Sequence, residues 1–202
     1  MSGTAPHAVL VLAGGLSRRL GQPKQLLRRH GETLLHRAVR MAHASAAAQV
    51  VVVLPAQAET LRAAVDDLPC MLLTNATAER GLASSLRVAA ATVQPYPRVL
   101  LLACDQPALH PDHLQQLLEG AAQAPSGCAA TLHGPHAGVP AVVPGDWFGD
   151  TATLADDEGF RTRLRALPAD TLWRLHAPEL QRDLDTPADV AAARAAGWLD
   201  PA

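Results

Sequence analysis

Residues 12–24 read LAGGLSRRLGQPK: glycines, a serine, two arginines and a lysine directly behind an apolar run. Glycine backbone can come close to a ligand and aim its N–H groups at anionic oxygens. Gly14, Gly15 and Gly21 supply such backbone, and Ser17 adds a hydroxyl donor. Arg18, Arg19 and Lys24 add positive charge, and no acid lies between Gly14 and Arg29. This is the composition of a phosphate-binding loop; the plain alternative is a glycine loop with solvated arginines. Gly15 and Gly21 are six apart and Lys24 follows three later, so the stretch is neither GxxxxGK[ST] nor GxGxxG. Of 17 basic residues, Lys24 is the only lysine.

Two acidic stretches could complement such a loop. Asp105 closes the apolar run 99–104 and precedes Gln106-Pro107. A carboxylate at a strand's carboxyl end, beside phosphates, suits Mg²⁺, which takes one or two carboxylates plus phosphate and water. Asp-x-Pro is also good turn chemistry, which gives Asp105 a purely structural alternative. In DLDTP (183–187) the two aspartates alternate, and Asp185 is the one favoured as a second metal contact. In GLASSL (81–86), Gly81, Ser84 and Ser85 fall at the first turn of an expected helix. Its N–H groups could meet a phosphate or a base edge, or simply form a glycine turn.

Other reactive residue types lack the pattern their chemistry needs. His110/His113 and His133/His136 have HxxH spacing without HExxH, a weak metal signal. No GxSxG elbow is present for a serine hydrolase. Cys70, Cys104 and Cys128 are odd in number with no CxxC, as expected of thiols in a reducing cytosol.

The elements that must position these groups alternate. Strands are expected at 7–13, 49–55, 70–74, 98–104, 128–133, 139–144 and 171–176. Helices are expected at 32–44, 57–66, 82–92, 110–123, 158–167 and 186–197, and 145–150 reads as a loop. Strand–helix alternation implies βα units and a mostly parallel sheet covered on both faces, whose ligands sit at the strands' carboxyl ends. The glycine loop, the serine segment and Asp105 all follow such strands. The 202 residues suit a single α/β domain over 1–202. The hydrophobic fraction is 49% but aromatics are only 3%, so Ala, Val and Leu must build the core. A net charge of −2 does not point to nucleic acid or to a membrane surface. The start, MSGTAPHAVLVLAGG, lacks the basic beginning of a signal peptide. A cytoplasmic protein is expected.

Taken in order, these stretches resemble the nucleotidyltransferases of the molybdenum cofactor, the cytidylyl- and guanylyltransferases of molybdopterin. LAGGLSRRLGQPK is similar to that family's LA(A/G)GxSxRxGxxK, GLASSL to its GMxxSL, and CDQP to its acidic strand end. Gly138-Val139-Pro140 is similar to its GxP, and DLDTP to its DIDTP. Leu20 stands where the family often has Met, a change that conserves volume. Asp157-Glu158-Gly159-Phe160-Arg161 only loosely echoes its GDxGAR.

The resemblance implies a three-layer, Rossmann-like nucleotide-diphospho-sugar transferase fold with a mostly parallel mixed sheet. It implies that a nucleoside triphosphate lies along Leu12, Ala13, Gly14, Gly15, Ser17, Arg18, Gly21 and Lys24, and on Gly81, Ser84 and Ser85. Mg²⁺ would sit on Asp105 and Asp185, and Arg19, Lys24 and Asp105 would carry the catalysis. The substrates implied are CTP or GTP and a pterin-type phosphate acceptor, with a molybdoenzyme or its chaperone as recipient of the product. DQP, GLASSL and DLDTP resemble the cytidylyl branch, whereas LAGG resembles the guanylyl branch. The expected reaction is therefore CMP transfer from CTP. Alternatives are guanylyl transfer, transfer to a sugar phosphate or another small phosphate, and a non-enzymatic nucleotide-binding cofactor chaperone.

Overall fold

A computed structural model describes residues 6–201 except Asp157. The expectations that fall on Asp157 and on residues 1–5 lie outside the described residues. Strand β1 (His7–Leu12) is followed by a short hairpin, β2 (Arg28–Arg29) and β3 (Glu32–Thr33). Then come α1 (Leu34–Ala44), β4 (Gln49–Pro55), α2 (Glu59–Ala63), β5 (Met71–Asn75) and α3 (Leu82–Val93). The rest is β6 (Arg98–Ala103), α4 (Pro111–Gln123), β7 (Ala129–His133), β8 (His136–Pro144), α5 (Arg161–Ala166), β9 (Trp173–Leu175) and α6 (Pro187–Ala195).

Seven strands form one sheet in the order β5-β4-β1-β6-β8-β7-β9. β8 runs antiparallel to both β6 and β7, and the other pairings are parallel. The central strands are buried on both faces, which is why they read as unbroken apolar runs rather than as alternation. Their side chains still alternate between two clusters. Val9, Val11, Val50, Val52, Leu100 and Leu102 pack against α1 and α4. Ala8, Leu10, Val51, Val53, Val99 and Leu101 pack against α3 and the Trp147–Phe160 aromatics. The result is helix–sheet–helix, with Leu20, Leu27, Leu184 and Val190 of α6 forming a third small cluster at the edge of the glycine loop.

Several element ends differ from expectation for local reasons. α1 starts at Leu34 because the Thr33 side chain caps it, accepting from His36 N–H, and Glu32–Thr33 is spent in the hairpin. Residues 145–153 form a 3₁₀ helix that seats Trp147 and Phe148, not a loop. β8 begins at His136 because the 134–135 turn pairs it directly with β7. α6 has the expected Thr186 cap, closed as a reciprocal box with Asp189. No helix among the described residues is long and apolar enough to cross a membrane.

Candidate active site

β1 lies between β4 and β6, with Leu12 opposite Val53 on one side and Ala103 on the other. The glycine loop leaves the carboxyl end of β1, and Asp105 leaves the neighbouring end of β6. Between them lies a cavity of about 580 Å³. Leu12, Gly14, Gly15, Ser17 and Arg18 line it from the loop, with Arg19 and Lys24 at its charged end. Gly81 and Ser85 line it from the start of α3, and Asp105 and Asp185 face it from the acidic stretches.

The loop is shaped by its own residues. Ser17 takes a left-handed backbone (φ 48°), and its carbonyl accepts from the N–H groups of Leu20 and Gly21. Gly21 also has a positive φ of 73°, a conformation glycine adopts without strain. The Ser17 hydroxyl accepts from Lys24 N–H at 3.1 Å, which leaves its proton to donate toward the cavity. A Cβ at Gly14 would lie 2.8 Å from Ser85 Oγ, so glycine is what lets the loop pass over α3.

Three candidates are placed behind the wall rather than on it. Ala13 is buried, its N–H given to Val53 and its carbonyl to Gln25. Gly21 turns the loop outside the cavity. Ser84 is 3% exposed; its hydroxyl donates to the Gly81 carbonyl and accepts from Asn75 Nδ2. The same Asn75 amide reaches Ser85 Oγ at 3.1 Å, and Asn75 Oδ1 takes Thr77 N–H. One wholly buried amide thus locks the start of α3 to the end of β5.

The charged end forms a chain of contacts. Lys24 Nζ donates to Asp105 Oδ2 at 2.5 Å and to Asp185 Oδ1 at 3.1 Å. Arg19 donates to Asp185 Oδ2 at 2.7 Å. Burial alone would lower the Lys24 pKa; the Asp105 and Asp185 carboxylates outweigh it and raise it, so the ammonium stays charged. Asp183 joins the same field. Loss of water around its carboxyl, then the charges of Asp105 and Asp185, push it up to about 6.

Two glutamines hold the cavity's walls: Gln25, which the motif spacing did not single out, and Gln106 of the DQP stretch. Gln25 is 2% exposed, and its Nε2 donates to the carbonyls of Ala13 (2.8 Å) and Gly15 (2.7 Å). Those two bonds tie the loop's Ala13 and Gly15 carbonyls to one buried amide. Gln106 donates to the carbonyls of Val139 and Leu180, and Arg29 and Arg37 hold the carbonyls of Pro107 and Leu109. Asp105 therefore sits on a turn tied down from three sides. The only sequence signal for Gln25 was a polar residue between Lys24 and an apolar pair.

Three of the four histidines at HxxH spacing have structural partners. His110 caps α4, His113 bonds Glu179 at 3.0 Å, and His133 bonds the Val139 carbonyl at 2.8 Å. The three cysteines are free thiols, with Cys104 and Cys128 buried. Burial pushes the Cys128 thiol up to about 11.

The profile of the MobA-like NTP transferase domain matches residues 9–172, from β1 to the edge of β9. The chain belongs to that family. That family is one of NTP transferase domains. A relative from Opitutus terrae, named "Probable molybdenum cofactor guanylyltransferase", is 38% identical over 99 residues. That alignment takes in 49% of this chain and 48% of the relative, so the chain spans about half the length of the curated relative it matches. The crystal structure of the Rv0371c homologue from Mycobacterium sp. strain JC1 is 30% identical, with a TM-score of 0.74. That match covers 94% of this chain and 96% of that one. A nucleotidyl transferase from Methanothermobacter is 20% identical with a TM-score of 0.78, covering 95% and 97%, a likeness of fold.

Proposed function

We propose that the protein transfers a nucleoside monophosphate from an NTP to the terminal phosphate of the molybdenum cofactor. The observation that carries this is the Lys24 ammonium held between Asp105 and Asp185 at the mouth of the glycine-loop cavity. Cations and carboxylates alternate there within ion-pair distance of one another, from Arg19 through Asp185 and Lys24 to Asp105.

An oxygen of the acceptor phosphate attacks the α-phosphorus. A new P–O bond forms, and the α–β bridging bond breaks with its electrons leaving on pyrophosphate. Such a transfer asks the protein for positioning and charge neutralisation rather than covalent chemistry. The amides of Gly14 and Gly15 and the Ser17 hydroxyl hold phosphate oxygens. Arg19 and Lys24 neutralise charge on the triphosphate and on the departing pyrophosphate. Gln25 fixes the loop that presents the amides. The hard carboxylate oxygens of Asp105 and Asp185 fit Mg²⁺, which when bound supplies charge neutralisation at the phosphates.

GLASSL, DQP and DLDTP favour CMP transfer from CTP. A second reading, GMP from GTP, is favoured by the name of the Opitutus relative. Incubation with Mg²⁺, each NTP and molybdopterin, following pyrophosphate, tests the proposal. Pyrophosphate release that never depends on the pterin would overturn it. Thermal shift with CTP against GTP separates the two bases, because the ligand that binds the folded state raises its melting temperature.

A further inference from the structure

Helix α6 ends in a glycine stop, and the residues after it turn back toward the glycine loop. Gly197 takes a φ of 72°, its N–H bonds the Arg194 carbonyl, and the Trp198 N–H bonds the Ala193 carbonyl. Leu199, 5% exposed, then packs in one cluster with Leu20, Leu27 and Leu184. Asp200 meets the β2–β3 hairpin. Its Oδ1 accepts the His30 N–H at 2.6 Å and its Oδ2 the Gly31 N–H at 2.7 Å. The Asp200 N–H returns a bond to the Arg28 carbonyl at 2.8 Å. His30 and Gly31 have φ of 55° and 78°, the two positive values that a tight hairpin turn requires. His30 lacks glycine's freedom in that conformation, and a carboxylate on both turn amides offsets the cost.

Both sides of this contact lead to the charged end of the glycine-loop cavity. Leu20 adjoins Arg19 in the chain, and Leu184 adjoins Asp185. The side chains of that ion pair are 71% and 40% exposed, so the buried leucine beside each is what fixes its place. Arg29, next to the clamped turn, donates to the Pro107 carbonyl, two residues beyond Asp105. We propose that Asp200 is a positioning residue: by clamping the hairpin it sets the spacing between Arg19–Asp185 on one side and Lys24–Asp105 on the other. Its consequence for turnover rests on the transferase reading above. Among the described residues Asp200 bonds to none of those four side chains, and it acts through its neighbour Leu199 and through Arg29.

The test uses the full chain with Asp200→Ala, the milder Asp200→Asn, and Ser126→Ala as a control. Ser126 holds the Thr171 carbonyl beside β9, at the edge of the sheet, so its loss costs stability away from the site. Four bonded amides report on the site. Leu20 and Gly21 donate to the Ser17 carbonyl, Lys24 to the Ser17 hydroxyl, and Leu109 to the Gln106 carbonyl. In Asp200→Ala, residue-resolved hydrogen exchange is expected to quicken about tenfold or more at these four as well as at His30 and Gly31. kcat/KM for NTP is expected to fall about tenfold with it. Asp200→Asn keeps one acceptor oxygen and is expected to show the same pattern at about threefold, which can be read even where the alanine variant does not fold. Ser126→Ala is expected to lower the melting temperature and leave the four amides within about twofold of wild type.

Exchange that quickens only at His30 and Gly31, or equally in Ser126→Ala, would make Asp200 a hairpin brace and overturn the proposal. The transferase reading fails separately. The expected exchange pattern in a protein that transfers no nucleotide would sink that reading and leave the clamp standing. Transfer by the wild type, with exchange and kcat/KM unchanged in Asp200→Ala, would do the reverse.

Discussion

Lys24 Nζ lies 2.5 Å from Asp105 Oδ2, joining residues 81 apart in the chain, and its other carboxylate partner is Asp185. The ammonium thus stands between the carboxylates that fit a divalent cation. On the proposed reading, a metal would compete with the lysine for the same oxygens until a triphosphate gave the lysine a new partner.

That competition makes Lys24→Met informative without any assay of turnover. Removing the ammonium leaves two part-buried carboxylates facing each other. The unliganded protein is expected to lose about 1–3 kcal/mol, between the cost for exposed and for buried pairs. Mn²⁺ alone, measured by calorimetry, is expected to bind the variant about tenfold more tightly than wild type, while NTP binding weakens. Weaker metal binding in the variant would show that Lys24 does not occupy the metal's place.

Asp105 and Asp185 differ in how firmly they are held. Asp105 has a side chain 16% exposed on a turn braced by Gln106, whereas Asp185 is 40% exposed and shared with the exposed Arg19. Asp105→Ala is expected to lower the transfer rate about 10²-fold or more, the scale of losing a preorganised electrostatic group. Asp185→Ala is expected to cost less, about tenfold, because exposed charge is screened. Steady-state rates at saturating NTP check both; an Asp105→Ala enzyme at wild-type rate would remove that carboxylate from the mechanism.

How much of this was legible in the chain depends on where the information lies. β1, β4 and β6 read almost to the residue, because strands buried on both faces are apolar throughout and β-branched in part. The direction of β8 was not legible, since an apolar run has no sign. The hairpin at Arg28–Thr33 was missed because its strands are two residues each, too short for any period. Arg19, Lys24 and Asp105 stood out because charge beside glycine or at a strand end is unusual. Gln25 and Asn75 did not, because an amide shows its purpose only when its partners, here Ala13 and Gly15 or Ser84 and Ser85, arrive from elsewhere.

Gln25 therefore supplies a prediction that motif reading would not make. Gln25→Leu keeps the side chain's bulk but leaves the Ala13 and Gly15 carbonyls without their donor; Gln25→Glu places acceptors against acceptors. Both are expected to raise the KM for NTP about tenfold, the larger effect in Gln25→Glu, with a smaller change in kcat. A merely structural amide would lower the melting temperature and leave the ligand-induced shift intact. That outcome would remove Gln25 from the phosphate site.

Glu32 tests the electrostatics away from the cavity. Hydrogen bonds from Arg40 hold its carboxyl down to about 2 from 4.5, with His36 adding a further bond against the opposing effect of burial. A carboxyl with a lowered folded-state pKa contributes stability above its unfolded value, and loses it as pH falls toward the folded one. His36 is the reverse case: burial lowers its pKa, but Glu32 and Asp67 outweigh burial and raise it. Its contribution is full below about 6.5 and is lost as pH climbs through the raised value. The cluster is therefore strongest between about pH 4.5 and 6.5. Glu32→Gln is expected to cost about 1 kcal/mol there, a modest figure because the Arg40 side chain is 47% exposed. Urea unfolding across a pH series checks it: the gap between wild type and variant should narrow on acidification toward pH 2. A gap that stays constant over that range would mean the Arg40 pair adds nothing to folding.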